Sequence, residues 1–291
     1  MFTFAGKLHI NNFSCIMANV IKIKKGLDIN LKGKASDVLL NGGKSESYAI
    51  VPDYYNGILP KVVAKVGEKV KAGSVLMIDK NRPEIKFVSP VSGEVTAVNR
   101  GEKRKVLSIV VKPDAQIEYE EFGKKNVASL QGAEVKEVLL NAGMWPFIKQ
   151  RPYDIIAAPL DTPRDIFVSA FYSAPLAPNF DFIVKGQEAD FQTGLNALAK
   201  LTNGKVYVGV RSGSVVSGMK GVEIVEVEGP HPAANVGVQI NHIKPVNKGE
   251  VVWTVNPADV IVIGRLFNKG VADFSRMVAI TGSETTERGY V

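Results

Sequence analysis

The chain has 291 residues, of which 45% are hydrophobic and 22% charged, enough for two globular domains with buried cores. Its net charge of +7 is concentrated early: residues 19–113 hold 18 Lys+Arg against 9 Asp+Glu, whereas residues 114–291 hold 17 against 20. One cysteine, Cys15, and three histidines argue against a disulfide framework, an iron–sulfur cluster and a structural zinc site, each of which needs several thiolates or imidazoles.

Residues 1–18 are apolar but interrupted by Asn11 and Asn12, a poor fit to a secretory signal. Met17 precedes the first patterned strand, 20–23, and is read as the natural start, with 1–16 as an upstream extension. No run approaches the roughly 20 uninterrupted apolar residues of a membrane-spanning helix. The cations cluster at Lys22, Lys24 and Lys25; at Lys61, Lys65, Lys69 and Lys71; and at Arg100, Lys103, Arg104 and Lys105. Such clusters suit nucleic acid, anionic lipid headgroups, an acidic partner or plain solvent. Aromatic stacking platforms are not interleaved with them, which disfavours nucleic acid.

From 48 to 111 the pattern is all-β, with short strands at 48–51, 57–66, 74–79, 86–88, 93–99 and 105–111. The turns between them contain Asn56-Gly57, Asn81-Arg82-Pro83, Ser92-Gly93 and Arg100-Gly101-Glu102. The run 65–76, followed by 89–95, resembles the biotinyl/lipoyl or barrel-sandwich hybrid fold, with Val66 and Val70 pointing inward. Carrier domains of that kind modify a lysine at a hairpin tip, which would be Lys80 here; the short spacing from Gly67 and the nearby Pro83 weigh against it.

Beyond residue 130 helices and strands alternate, which predicts an α/β domain with a largely parallel sheet. Val135, Val138, Leu139 and Ala142 share one helical face over 134–142, with Gly143 at the C′ position. Further helices are expected at 187–201, 233–243 and 257–267, the last capped by Asn256 with Pro257 at N1. Strands are expected at 154–158, 166–170, 205–210 and 222–227. Residues 278–281 read as the first strand of a further β domain cut short. The domain organisation is thus a leader at 1–18, a β domain at 19–113, an α/β domain at 114–275 and the start of a C-terminal β domain at 276–291.

Nucleotide motifs are absent as such. Gly209, Gly213 and Gly218 lack the dinucleotide spacing, and Gly42-Gly43-Lys44-Ser45 has Val38 where a P-loop needs its first glycine. Ser173 and Ser214 lack a nucleophile-elbow frame. His231 and His242 lack a third metal ligand at suitable spacing.

Several strings are compositionally unusual: Lys86-Phe87-Val88-Ser89-Pro90-Val91-Ser92-Gly93, Phe171-Tyr172-Ser173-Ala174-Pro175-Leu176-Ala177-Pro178, Phe191-Gln192-Thr193-Gly194-Leu195 and Gly229-Pro230-His231-Pro232-Ala233-Ala234-Asn235. With 20–28, 99–104 and Arg151-Pro152-Tyr153, they resemble the A subunit of the bacterial Na⁺-translocating NADH:quinone oxidoreductase from about residue 20 onward. The resemblance implies a barrel-sandwich hybrid domain followed by a Rossmann-like α/β domain similar to the flavin subunit of complex I, without that subunit's flavin or cluster. Asn141-Ala142-Gly143-Met144-Trp145-Pro146 stands where those relatives carry a glycine-rich flavin loop, and lacks its run of glycines.

The family further implies a cofactor-free peripheral subunit on the cytoplasmic face of the inner membrane. Flavins and the iron–sulfur cluster would sit in partner subunits, some of them membrane-embedded, and ubiquinone or menaquinone is the one ligand left open. No catalytic or metal-binding residue is expected. The candidate quinone or partner contacts are Trp145, Arg151 and His231, whose alternative roles are core packing, a charge at a helix C-terminus and a proline-fixed turn. The alternatives to this reading are a soluble flavin or NAD oxidoreductase and a biotinyl- or lipoyl-type carrier.

Overall fold

The computed structural model describes residues 19–291. The leader, its cysteine and the expectation of a start at Met17 lie outside the described residues. The first strand, β1 (Asn19–Lys22), does not join the β domain to which the sequence pattern assigned it. It runs parallel to a distant strand, pairing Ile21 with Val227, and so forms one edge of the α/β sheet. The chain then continues in extended form; Leu27 donates its N–H to the His231 carbonyl at 2.9 Å, and residues 33–40 meet the C-terminal hairpin described below.

The β domain contains β2 (Tyr48–Ile50), β3 (Pro60–Val62), β4 (Lys69–Val70), β5 (Val75–Asp79), β6 (Lys86–Val88), β7 (Gly93–Arg100) and β8 (Val106–Pro113). They form two antiparallel sheets, β2-β8-β7-β4 and β3-β5-β6, around Leu76, Met77, Ile85, Phe87, Val95 and Ile109. This is the barrel-sandwich hybrid expected from the sequence. Val70 points inward as predicted, but Val66 is exposed. It occupies a tight turn in which the Glu68 carboxylate accepts the Lys65 N–H at 2.7 Å, which ends the strand before Val66.

Lys80 is exposed, yet its turn is pinned. Buried Asp79 accepts from the Leu59 and Asn81 amides and from Arg82 Nε at 2.9 Å, and Arg82 also reaches the Ile156 carbonyl of the α/β domain.

In the α/β domain, α1 (Gly132–Asn141) ends in a Schellman geometry: Met144 N–H bonds to Leu139 O at 2.9 Å, and Gly143 has φ +67°. Next come β9 (Ile148–Arg151), β10 (Ile155–Ile156), β11 (Ile166–Ser169), α2 (Phe180–Val184), α3 (Glu188–Ala199), β12 (Val206–Val210), β13 (Glu223–Glu228), α4 (Val236–Ile243), β14 (Val252–Val255) and α5 (Pro257–Lys269). The sheet order is β1-β13-β12-β11-β14-β9-β10, parallel except for the β9–β10 end. The strand expected at 154–158 is only the short return of the β9–β10 hairpin, because Asp154 turns the chain at φ +54°. Helix α4 starts three residues later than its apolar pattern predicts, where the Asn235 carboxamide accepts the Gly237 N–H at 2.9 Å.

Every residue of β11 is buried, as a strand covered on both faces requires. Phe167 packs with Ile240 of α4 on one side, while Ile166 and Val168 join the core of α3 and α5 on the other. Helices α3 and α5 cross at van der Waals limit through two glycines. A Cβ on Gly264 would stand 1.7 Å from Asp190 O, and one on Gly194 would stand 2.0 Å from Val260 O.

The hairpin β15 (Ala279–Ile280) and β16 (Gly289–Tyr290) closes against the segment before the β domain. Tyr290 is buried, and its phenol oxygen accepts the Asn179 N–H at 2.7 Å. Residues 276–291, read as the start of a separate β domain, are packed on the α/β core in this way. No described helix is long and apolar enough to cross a membrane.

The crossing of α3 and α5 predicts that Gly264→Ala lowers the unfolding free energy by about 3 kcal/mol, as overpacking a tight core does. Gly218→Ala, whose Cβ meets open space, should change it by less than about 0.5 kcal/mol. Denaturant titration of both variants checks this, and equal midpoints would contradict it.

A candidate site at the switch point of the sheet

From β11 the chain proceeds outward through β12 and β13, then returns to place β14 on the opposite side of β11. The strand order therefore reverses between β11 and β14, and the crevice outside their carboxyl ends is where open α/β sheets place ligands. A cavity of about 290 Å³ lies there. Strand β9 contributes Lys149 and Arg151, the loop after β11 contributes Phe171 and Tyr172, and the start of α5 contributes Asn256 and Asp259.

Local structure fixes each of these groups. Asn256 caps α5 by accepting the Ala258 N–H at 3.0 Å and also accepts from the Tyr172 hydroxyl at 3.3 Å. Asp259, in the first turn of α5, is paired with Arg276 at 2.5 Å. Burial pushes its carboxyl above the usual carboxylate range, against the pull of that guanidinium. The Lys149 ammonium lies 5.5 Å from the centre of the Tyr55 ring, and burial lowers its pKa, opposed by Asp154 and Asp259. Burial also raises the Tyr172 phenol. Arg151 reaches Asp154 at 3.5 Å, but its buried Nε has no hydrogen-bond partner. An unfilled charged donor in a partly apolar cleft suits a small ligand with an acceptor oxygen or negative charge.

The three sequence candidates part company here. Arg151 lines the crevice. Trp145 does not: it is fully buried, donates Nε1–H to Ala157 O at 2.8 Å and packs edge-on against Trp253 with centroids 5.4 Å apart. Its two-ring contact and satisfied N–H leave nothing for a ligand, so the core-packing role replaces the contact role. His231 bonds through Nδ1 to Ser173 Oγ at 3.1 Å, and Ser173 lines a separate cavity of about 390 Å³. Lys149, Tyr172 and Asp259 escaped the sequence reading. The Asn256-Pro257 cap was visible, but its place beside β11 depends on strand order, which no local pattern reveals.

The loop 141–146 that follows α1 is filled rather than cradle-shaped. Ala142, Met144 and Trp145 are all fully buried, and a Cβ on Gly143 would come within 2.5 Å of Val88 in the β domain. Among the described residues, no three of His, Cys, Asp and Glu cluster as metal ligands.

A barrel-sandwich hybrid joined to a Rossmann-like sheet whose first helix ends in packed side chains defines a class of two-domain α/β protein built on a nucleotide-type scaffold. Residues 21–114 match the family model for the NqrA N-terminal barrel-sandwich hybrid domain, and residues 130–272 match that for the NqrA second alpha/beta domain. The chain belongs to the NqrA family. Its relatives include proteins named as the A subunit of Na(+)-translocating NADH-quinone reductase. That of Hahella chejuensis is 39% identical over 268 residues, covering 90% of this chain and 60% of the relative. That of Neisseria meningitidis serogroup A is 37% identical over 272 residues, covering 92% and 61%. That of Yersinia pestis is 35% identical over 272 residues, again covering 92% and 61%. The chain thus spans about 60% of the length of these curated relatives.

The raised Asp259 pKa has a stability consequence with a definite sign. A carboxyl whose folded pKa lies above its ordinary 3.8 contributes stability that is complete below 3.8 and is lost as pH rises toward the folded value. Asparagine carries no such dependence. The unfolding free energy of Asp259→Asn relative to the parent chain should therefore climb as pH is raised from 3.8 toward neutrality. A flat difference in denaturant titrations across that range would contradict the buried-carboxyl assignment.

Proposed function

We propose that the chain acts as a peripheral, cofactor-free part of a Na⁺-translocating NADH:quinone reductase, on the cytoplasmic face of the inner membrane and docked on the membrane-embedded subunits. In this reading the flavins and the iron–sulfur cluster belong to partner subunits, and electrons pass from NADH to ubiquinone or menaquinone without a redox group on this chain. The observation that carries the reading is the packed loop after α1: side chains of Met144 and Trp145 occupy the region where a phosphate-binding loop would have to present bare backbone. The names of the relatives supply the complex in which such a scaffold would serve.

The crevice at the switch point supplies the proposed quinone contact. A quinone carbonyl is an acceptor, and Arg151 Nε is a buried donor without one. Phe147, Phe171 and Val255 provide apolar walls for a planar ring, while Lys149 holds a second cation nearby. His231 does not line this crevice; it bonds to Ser173, which lines the neighbouring cavity, and is not part of this contact.

Two measurements test the reading separately. The tagged chain, expressed in a bacterium that makes the complex, should co-purify from membranes with the other subunits; recovery of the chain free of them would contradict its role in the complex. In the assembled complex, a photoreactive quinone analogue should label the peptides around Lys149–Arg151 and Tyr172. Arg151→Met should weaken that labelling about tenfold, the usual cost of losing a hydrogen bond to a charged donor. Labels confined to other subunits would contradict the quinone contact.

A further inference from the structure

The hairpin joining β7 and β8 carries a dense group of cations: Arg100, Lys103, Arg104 and Lys105, all exposed. Lys105 pairs with Asp53 at 2.6 Å, whereas the other three make no ion pair among the described residues. The backbone beneath them is unusual. Lys103 and Arg104 have φ of 52° and 61°, the left-handed region in which tight hairpins place glycine or asparagine, because a Cβ crowds the following carbonyl there. The turn is closed by Gly101 N–H to Lys105 O at 2.9 Å, by Lys105 N–H to Glu102 O at 3.0 Å, and by the Arg100 guanidinium on Arg104 O at 3.1 Å. Two long cationic side chains are thus carried where glycine would fit with less strain, and no carboxylate of the described residues engages them. Strain retained at such positions points to work done by the side chains themselves.

Apolar groups lie beside the cations. Leu107 is 42% exposed and Tyr54 is 81% exposed. The Lys105–Asp53 bridge ties the short turn bearing Tyr54 to the hairpin, so cations, tyrosine and leucine form one patch. A phospholipid surface matches this composition: phosphates receive the cations, and an amphipathic tyrosine ring settles at headgroup level. The three unpaired cations are also not oriented by any carboxylate. They are unlike a pre-set array for one acidic peptide, and they suit phosphates that move laterally.

We propose that the β7–β8 hairpin tip, with Tyr54 and Leu107, is a docking surface for anionic lipid headgroups. Vesicle binding involves the chain alone, so this proposal and the assignment to the pump stand or fall separately.

The test is co-sedimentation of the purified chain with vesicles of phosphatidylcholine, and of phosphatidylcholine mixed with phosphatidylglycerol, at low and physiological ionic strength. Binding should be confined to the anionic vesicles and should weaken with salt. It should fall about fivefold for each of Arg100, Lys103 and Arg104 neutralised. The informative variants are Lys103→Gly and Arg104→Gly, singly and combined. Glycine relieves the left-handed backbone, so their unfolding midpoints should be unchanged or higher while vesicle binding drops. Equal binding to neutral vesicles would overturn the proposal, as would undiminished binding of the double glycine variant. So would a double variant that keeps vesicle binding but loses its attachment to membranes containing the complex, since the partner would then be an acidic protein surface.

Discussion

The indole of Trp145 anchors the loop at which the β domain meets the α/β core. It is fully buried, stands edge-on to Trp253 in the sheet and gives its N–H to Ala157, while its loop brings Gly143 against Val88 of the β domain. One short loop therefore completes the α/β core and seats the β domain on it. A loop used in this way commits its turn geometry and its side chains to packing, whereas a phosphate cradle presents bare backbone. The loop after the first helix of this α/β sheet is thus used for cohesion.

What the sheet retains is the crevice produced by its reversal of strand order. There the chemistry differs from that of a phosphate site: an arginine with an unused donor, a lysine held against a tyrosine ring, and a buried carboxyl paired with Arg276. Burial moves Lys149 and Asp259 in opposite pKa directions, each toward its neutral form, against the pull of their charged neighbours. The basic hairpin tip is the other feature that the fold itself does not use, and it lies in the β domain, where the positive excess of the sequence is concentrated.

Much of this was legible in the chain. Helices α1, α3 and α5 follow from apolar periodicity, and their ends from Gly143 and from the Asn256-Pro257 cap, because these signals are local. Short β strands between glycine, asparagine and proline turns gave the β domain for the same reason. The failures are of two kinds, strand pairing between distant segments and turns closed by a polar side chain. Strand β1 reads as part of the following β domain until its parallel pairing with β13 is known, and Val66 reads as inward until the Glu68 carboxylate is seen to close the turn around it. Trp145, a large aromatic in an unusual string, reads as a ligand contact and is a core residue, while Lys149 lies on β9, a strand that the apolar pattern does not announce, and lines the crevice. Which side chains meet at the switch point is decided by the order β11-β14-β9, and spacing along the chain does not encode it.

The central claim, that a packed loop has replaced the flavin cradle, is tested most directly by equilibrium titration of the purified chain with FMN, followed by flavin fluorescence and then by addition of NADH. The packed loop predicts no saturable binding and a flavin that stays oxidised. Saturable binding accompanied by NADH-dependent bleaching of the yellow colour would contradict it.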